Sequence, residues 1–330
     1  MNSFGRLFRI SIFGESHGAG VGVLIDACPA GLELSVDDFT ADLGRRKSGR
    51  PGTTARVEED IPSIMTGLFR GRTTGAPLAV LFENKDTDSE AYEKIRATPR
   101  PGHADFVAHR KFDGFNDYRG GGTFSGRLTA CLVAAGVVAK KLLSPIAIHA
   151  QLSEVGGSKD VERTIRETVL SGDSVGGIVE CSVTGLPVGL GEPFFDSAES
   201  LLSHLIFSIP GIKAIEFGVG FACARMRGSE YNDEIIEDTG NTRTNNAGGI
   251  NGGITNGNPL LLRVAVKPTS SISGPQRTVN LETGLQQELV VGGRHDACIA
   301  LRVPVIVEAA CAVVIADLML IAQKLKRIAR

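Results

Sequence analysis

Apolar positions along the chain fall into two rhythms. Short apolar runs rich in β-branched residues predict strands near 7–13, 21–28, 64–69, 78–83, 146–152, 177–183, 215–224 and 260–266. Longer runs with helical spacing predict helices over 36–46 (Ser35 as N-cap), 125–143, 158–170, 197–209 and 304–327. The stretch 303–328 raises the question of a membrane span, but Glu308 and Asp317 interrupt it. It reads as a buried helix whose small residues Ala309, Ala310, Cys311 and Ala312 permit close packing. Lys324, Lys326, Arg327 and Arg330 suit the C-terminal end of its dipole.

The pattern also echoes between the two halves. Thr74-Gly75-Ala76-Pro77-Leu78 resembles Asn256-Gly257-Asn258-Pro259-Leu260, and each opens a predicted strand. Pro29-Ala30-Gly31-Leu32 matches Pro187-Val188-Gly189-Leu190, each after a strand. A long Ala/Val/Leu helix follows in each half. Chance is the competing explanation, because Gly-Pro turns before strands are common. The reading adopted is a single α+β domain over 1–330 with internal duplication, its halves about 1–150 and 151–330. Duplication would pack the two long helices together between the sheets and gather loops from both halves around one site.

Composition narrows the function. At 330 residues the chain can bury a large core. A net charge of −2 argues against bulk nucleic acid or an anionic membrane as partner. Residues 1–12 hold Arg6 and Arg9 and no long apolar core, so no secretory signal is expected. The six cysteines form neither Cys-x-x-Cys nor a Cys/His ligand run. They predict buried free thiols in a reducing cytoplasm, with no metal.

Three of the six histidines sit in glycine-punctuated segments beside a carboxylate: Gly14-Glu15-Ser16-His17-Gly18, Arg100-Pro101-Gly102-His103-Ala104-Asp105 and His295-Asp296 after Arg294. Histidine moves protons near neutral pH, and the arginines point to an anionic substrate. The basic run Arg45-Arg46-Lys47-Ser48-Gly49-Arg50 is either a solvated helix end or an anion clamp. Arg119-Gly120-Gly121-Gly122-Thr123-Phe124-Ser125-Gly126-Arg127 leads into a helix, a ready place for an anion, but lacks the Gly-Lys-Ser/Thr of a nucleotide-triphosphate loop. Lys267-Pro268-Thr269-Ser270-Ser271 ends a strand with one cation and three hydroxyls. Gly14–Gly18 also fits Gly-x-Ser-x-Gly, so a serine hydrolase with Ser16 as nucleophile stays a minority reading. A flavin- or phosphate-binding module is the non-enzymatic alternative.

Taken together and in order, these segments and Asn245–Pro259 resemble the chorismate synthase family over essentially the whole chain. The resemblance implies a β-α-β sandwich assembled as a homotetramer. It also implies conversion of 5-enolpyruvylshikimate 3-phosphate (EPSP) to chorismate and phosphate by an anti 1,4-elimination. The family needs reduced FMN without net redox change, and NADPH is a candidate reductant of that flavin. By motif, His17 would protonate the departing phosphate and His103 would act on the reduced flavin. Asp296, with Ser16 as relay, would serve the flavin nitrogen that receives the hydrogen. Arg46, Arg50, Arg100, Ser125, Arg127 and Arg294 would hold substrate. Thr123, Phe124, Ser125, Asn246, Ala247, Gly252, Lys267, Pro268, Thr269, Ser270, Ser271 and Arg294 would hold FMN. Many family members have Arg-Ser-Ser where Thr123-Phe124-Ser125 stands.

Overall fold

The computed structural model describes residues 2–54, 56, 58–87, 89–93, 95–292 and 295–325. Helix and strand are mixed. The first sheet holds β1 (Ser3–Phe4), β2 (Arg9–Gly14), β3 (Gly20–Asp26), β4 (Ser63–Thr66) and β5 (Leu78–Glu83), in the order β1-β2-β3-β5-β4. The second holds β6 (Ala147–Val155), β7 (Gly177–Thr184), β8 (Ile212–Phe217) and β9 (Leu260–Val266), in the order β8-β9-β7-β6. All of these pairings are antiparallel. Side chains alternate across a strand, so one face of each sheet is apolar. Val21, Val23 and Ile25 of β3 face the core beside Leu78, Val80 and Phe82 of β5, as do Val179, Cys181 and Val183 of β7 in the second sheet.

The principal helices are α1 (Thr40–Arg46), α2 (Asp105–Lys111), α3 (Thr129–Leu143), α4 (Val161–Ser171), α5 (Ala198–Ile206) and α6 (Val303–Ile321). α3 packs on β3 and β5, α6 packs on β6 and β7, and α3 and α6 pack on each other. Small residues make that approach possible: a Cβ on Gly136 of α3 would lie 2.3 Å from the Cβ of Ala309 on α6. By length and composition Ile299–Ile321 could cross a membrane, yet 83% of its apolar window is buried inside the protein. Its two carboxylates are satisfied within the fold. Glu308 accepts from Arg45 (2.7 Å, both oxygens), Lys140 (2.7 Å) and the Ala150 N–H (2.8 Å). Asp317 accepts the backbone N–H groups of Arg6, Leu7 and Phe8 at 2.9, 2.7 and 2.9 Å.

The echoing segments occupy matching places. β2-β3-β5-β4 and β6-β7-β9-β8 share one connectivity. After β3, Thr73 Oγ1 donates to Pro29 O (2.6 Å) and accepts from Leu32 N (2.9 Å). After β7, Thr255 Oγ1 donates to Pro187 O (2.8 Å) and accepts from Leu190 N (2.9 Å).

Several boundaries differ from the pattern-based expectation. The strand expected over 215–224 ends at Phe217, because Gly218 and Gly220 turn into left-handed backbone (φ 55° and 56°). The helix expected from 158 begins at Val161, where the Asp160 side chain caps it by accepting the Arg163 N–H. The last helix ends at Ile321, and residues 326–330 lie outside those described. Helix α2 and the ribbon Gln276–Val279 with Gln286–Leu289 had no periodic signal.

Candidate active site

The loop after β2 carries the first histidine. It connects two antiparallel strands, whereas a nucleophile elbow needs a helix after its strand, so the hydrolase alternative loses its structural context. Asn84, directly after β5, pins the loop by donating to Glu15 O (2.9 Å) and Gly18 O (2.8 Å). Ser16 is fully buried, and its Oγ accepts from Arg56 Nη1 at 3.0 Å. His17 Nδ1 is hydrogen-bonded to Ser89 Oγ (2.9 Å), and its ring meets Tyr92 edge-on (5.3 Å, 85°).

The glycine triplet explains how two histidines reach one site. Gly120, Gly121 and Gly122 all have positive φ (58°, 81° and 52°), so the chain coils tightly without side chains. A Cβ on Gly120 would lie 2.5 Å from His17 Cδ2 and 2.7 Å from Ser16 Oγ; one on Gly121 would lie 3.2 Å from His103 Cε1. The triplet therefore threads between the two imidazoles.

His103 is held by its own segment. Its Nδ1 lies 2.5 Å from Asp105 Oδ1, and Arg100 donates to the same carboxylate through Nε (2.7 Å) and Nη2 (2.9 Å). Burial alone would raise the Asp105 pKa, but the hydrogen bonds from His103 and Arg100 outweigh it and hold the carboxyl well below the usual range. An ionised carboxylate only accepts, so the shared proton sits on Nδ1, and Nε2, 3.4 Å from Arg100 Nη2, is the nitrogen left as an acceptor. Arg100 Nη1 reaches on to Ser271 Oγ at 3.1 Å.

Beside the histidines lies a small cavity of about 180 Å³. Five cations line it (Arg46, Lys47, Arg56, Arg127, Arg302) against three carboxylates (Glu58, Asp60, Asp296), an excess of two positive charges. Asp60 is buried and accepts from both Arg46 and Arg127. Burial would raise its pKa, but the two guanidiniums prevail and lower it. Arg127 also donates to Asn84 Oδ1 (2.9 Å) and Glu83 O (3.2 Å). Among the described residues, Arg46 Nε and Nη1, Arg56 Nε and Thr269 Oγ1 are buried without a hydrogen-bond partner. Buried donors without partners are costly, so donors left open among the described residues suit the acceptor atoms of a ligand in this cavity.

A larger cavity of about 550 Å³ adjoins it and shares Gly120, Ser125, Gly126, Thr269, Ser271, Asp296 and Arg302. Thr129 and Val303, the first residues of α3 and α6, line it, so both long helices open toward the site. Ile209, Pro210, Ile299 and Ile306 form an apolar wall across from the glycine loop, while Lys213, Lys267 and Ser270 mark a polar region. Lys267 donates to Ser270 Oγ at 2.7 Å, and Ser270 donates to Gly102 O at 2.7 Å. Burial, with the Lys213 charge adding to it, pushes the Lys267 ammonium below its ordinary pKa. A cavity with an apolar wall, two lysines and several hydroxyls suits a ligand that combines an apolar ring with a phosphate.

The structure brings His17, Ser16, His103, Asp296, Arg46, Arg100, Thr123, Phe124, Ser125, Arg127, Lys267, Thr269, Ser270 and Ser271 to or against these cavities, with Pro268 between two of the lining residues. Arg50 is exposed in a turn closed by Thr53, outside both linings. Asn246 and Ala247 turn their N–H groups to the Asp233 carboxylate (2.7 and 2.9 Å), and Gly252 sits in a separate two-stranded hairpin. None of those three lines either cavity. Arg294 lies outside the described residues. His295 hydrogen-bonds through Nε2 to the carbonyls of Val291 (3.3 Å) and Gly292 (3.2 Å). Burial, which those carbonyls oppose, lowers its pKa and favours the neutral ring. Sequence reasoning missed Arg56, Asp60, Arg302 and Lys213. The run Arg56-Val57-Glu58-Glu59-Asp60 looks like a solvated surface segment, and only the internal pairing of its charges sets it apart.

Comparison with known proteins agrees across the chain. The family model for chorismate synthase matches residues 8–320. A chorismate synthase of Chitinophaga pinensis is 61% identical over 329 residues, covering 99% of each protein. Those of Dehalococcoides mccartyi and Methanocella arvoryzae are each 47% identical; the first covers 99% of both proteins, the second 97% of this chain and 94% of its own. A crystal structure of chorismate synthase superposes with a TM-score of 0.75 at 26% identity, covering 96% of this chain and 93% of that one.

Proposed function

The chain belongs to the chorismate synthase family of carbon–oxygen lyases, and from that premise we propose that it converts EPSP to chorismate and phosphate by a reduced-FMN-dependent anti 1,4-elimination, the last common step toward the aromatic amino acids. The observation that carries this reading is the set of buried donors on Arg46, Arg56 and Thr269, unpartnered among the described residues, around a cavity of net positive charge, next to a larger cavity with an apolar wall, lysines and hydroxyls. EPSP brings two carboxylates and a phosphate to such a cradle. Reduced FMN, when bound, supplies transient electron density that a side-chain base cannot. Lys267 and the hydroxyls of Thr269, Ser270 and Ser271 would hold its phosphate, and Thr123 to Ser125 its ring.

The chain's own residues bind, orient and move protons. Arg46 and Arg127, from the small cavity, and Arg100, from the wall of the larger one, would hold substrate anions through guanidinium forks. His17, oriented by Ser89 and Tyr92, protonates the departing phosphate. His103, with Nδ1 tied to Asp105, lines the larger cavity and would stand beside a flavin bound there, where it would favour the anionic form of the reduced ring. Asp296, on the wall shared by both cavities, would take or give the proton there, with Ser16 as relay. Arg56 donates to Ser16 Oγ, which leaves the hydroxyl proton of Ser16 available for that relay.

The layers are read as a β-α-β sandwich formed by one domain with two duplicated halves, and the enzyme as a cytoplasmic homotetramer. A second copy would then be needed to bring Asn246, Ala247 and Gly252 to a flavin. Anaerobic incubation with photoreduced FMN and EPSP should give chorismate, and oxidised FMN alone should give none. Binding of both ligands without elimination would favour the binding-module alternative. Repeating the assay with NADPH and oxidised FMN decides whether the chain reduces its own flavin.

A further inference from the structure

Among the described residues, Arg302 is the one cation that lines both the small and the large cavity. It immediately precedes α6, as Arg127 precedes α3 by two residues, so the two arginines stand at the mouths of the paired helices. Their donors are used differently. Every nitrogen of Arg127 is engaged, by Asn84, Asp60 and Glu83. Arg302 donates from Nε to the backbone carbonyl of Arg46 (2.8 Å), and its Nη1 lies 3.4 Å from Asp296 Oδ2. Its Nη2 makes no hydrogen bond among the described residues, and its side chain is 20% exposed.

We propose that Arg302 is the positioning residue that couples the two cavities, holding the substrate-side backbone of Arg46 and the flavin-side carboxylate of Asp296 in one arrangement while offering its open Nη2 donors at their junction. The proposal rests on the reading of the two cavities as substrate and flavin sites. A guanidinium suits this place because its fork reaches a carbonyl and a carboxylate at once, which an ammonium point charge does not do in fixed geometry. Arg302 also adds positive charge beside Arg46, so an incoming anion meets a cluster of guanidiniums. Asp296 Oδ1 also accepts the Thr54 N–H at 3.0 Å, so loss of Arg302 leaves Asp296 with one anchor in place of two and removes the side-chain tie on the Arg46 carbonyl, loosening the partners that ligands on both sides would meet.

The test is equilibrium binding with no turnover. EPSP is titrated calorimetrically without flavin, and oxidised FMN is titrated by fluorescence quenching without EPSP. Wild type, Arg302→Ala, Arg46→Ala and Lys267→Ala are compared after their folding is checked by circular dichroism. Arg302→Ala should weaken both ligands by about tenfold or more. Arg46→Ala should weaken EPSP alone and Lys267→Ala FMN alone. Should Arg302→Ala fail to fold, Arg302→Lys, which keeps the charge but not the fork, must show the same joint loss. An Arg302 variant that weakens only one ligand, or neither, overturns the proposal. A wild type that binds neither ligand overturns the functional reading itself.

Discussion

Asp60→Asn is the most informative single change at the small cavity. The side chain of Asp60 is fully buried and receives two guanidiniums, Arg46 and Arg127, that are themselves almost fully buried. Removing one partner of a buried ion pair leaves an uncompensated charge and costs about 3–5 kcal/mol; here two like charges are left facing each other. With an unfolding entropy of about 2.1 cal/mol/K per residue, that loss lowers Tm by about 4–7 °C. Asparagine isolates the charge, because residue 60 has φ 49°, a left-handed conformation that Asn tolerates. Asp60→Ala should cost about a further 1 kcal/mol for the same backbone. The Asp60 pKa is depressed in the fold, so its contribution is full above the ordinary carboxylate value and is lost only as pH falls through the lower folded value. The deficit of the variant should thus be constant between about pH 5 and 8 and shrink only below about pH 4. Thermal melts followed by circular dichroism across that range provide the assay. Added phosphate should raise the Tm of Asp60→Asn more than that of the wild type. A melt within about 1 °C of the wild type, at any pH from 5 to 8, would refute the claim that this carboxylate holds the two arginines together.

His17→Ala and His103→Ala should each lower the rate of chorismate formation by about 10²–10⁴-fold with folding intact, as expected for proton-transfer groups; unchanged turnover would return either histidine to a structural role. Gly120→Ala forces a methyl to within 2.5 Å of the His17 ring and strains a left-handed residue, so turnover should drop steeply while the melt shifts little; full activity would show that the glycine loop does not pack on His17. Because burial lowers the Lys267 pKa, FMN affinity should begin to fall at a pH below the ordinary lysine value and be lost as pH rises through the lowered pKa; a titration curve flat up to about pH 10.5 contradicts that assignment.

Much of the fold was legible because its signals are local. The alternation in β3, the Pro-Leu starts of β5 and β9 and the apolar runs of α3 and α6 each report burial directly from sequence. Likewise His17, His103 and the Gly120–Gly122 triplet stand out because glycine beside a polar, titratable residue is locally unusual. Residues whose roles come from distant partners were hidden. Arg56 matters because it reaches Ser16 in the loop after β2, and Arg302 because its helix delivers it to the carbonyl of Arg46. Arg50 shares the basic run with Arg46, yet the chain leaves α1 after Arg46, and the turn closed by Thr53 carries Arg50 into solvent, a difference that the run itself does not display. Neighbouring carboxylates misled in the same way. Asp105 is a true partner of His103, whereas the Nδ1 of His17 goes to Ser89 and the ring of His295 to backbone carbonyls.

The central claim is that a bound reduced flavin is returned unchanged after each elimination at this site. Its most direct test counts chorismate and phosphate released per molecule of photoreduced FMN under strict anaerobiosis, with EPSP in large excess. The account predicts chorismate and phosphate in equal amounts, many of each per flavin, with the flavin still reduced at the end. Product that stops at one equivalent per flavin, flavin that is oxidised in step with it, or no product from folded protein that binds both ligands would contradict it.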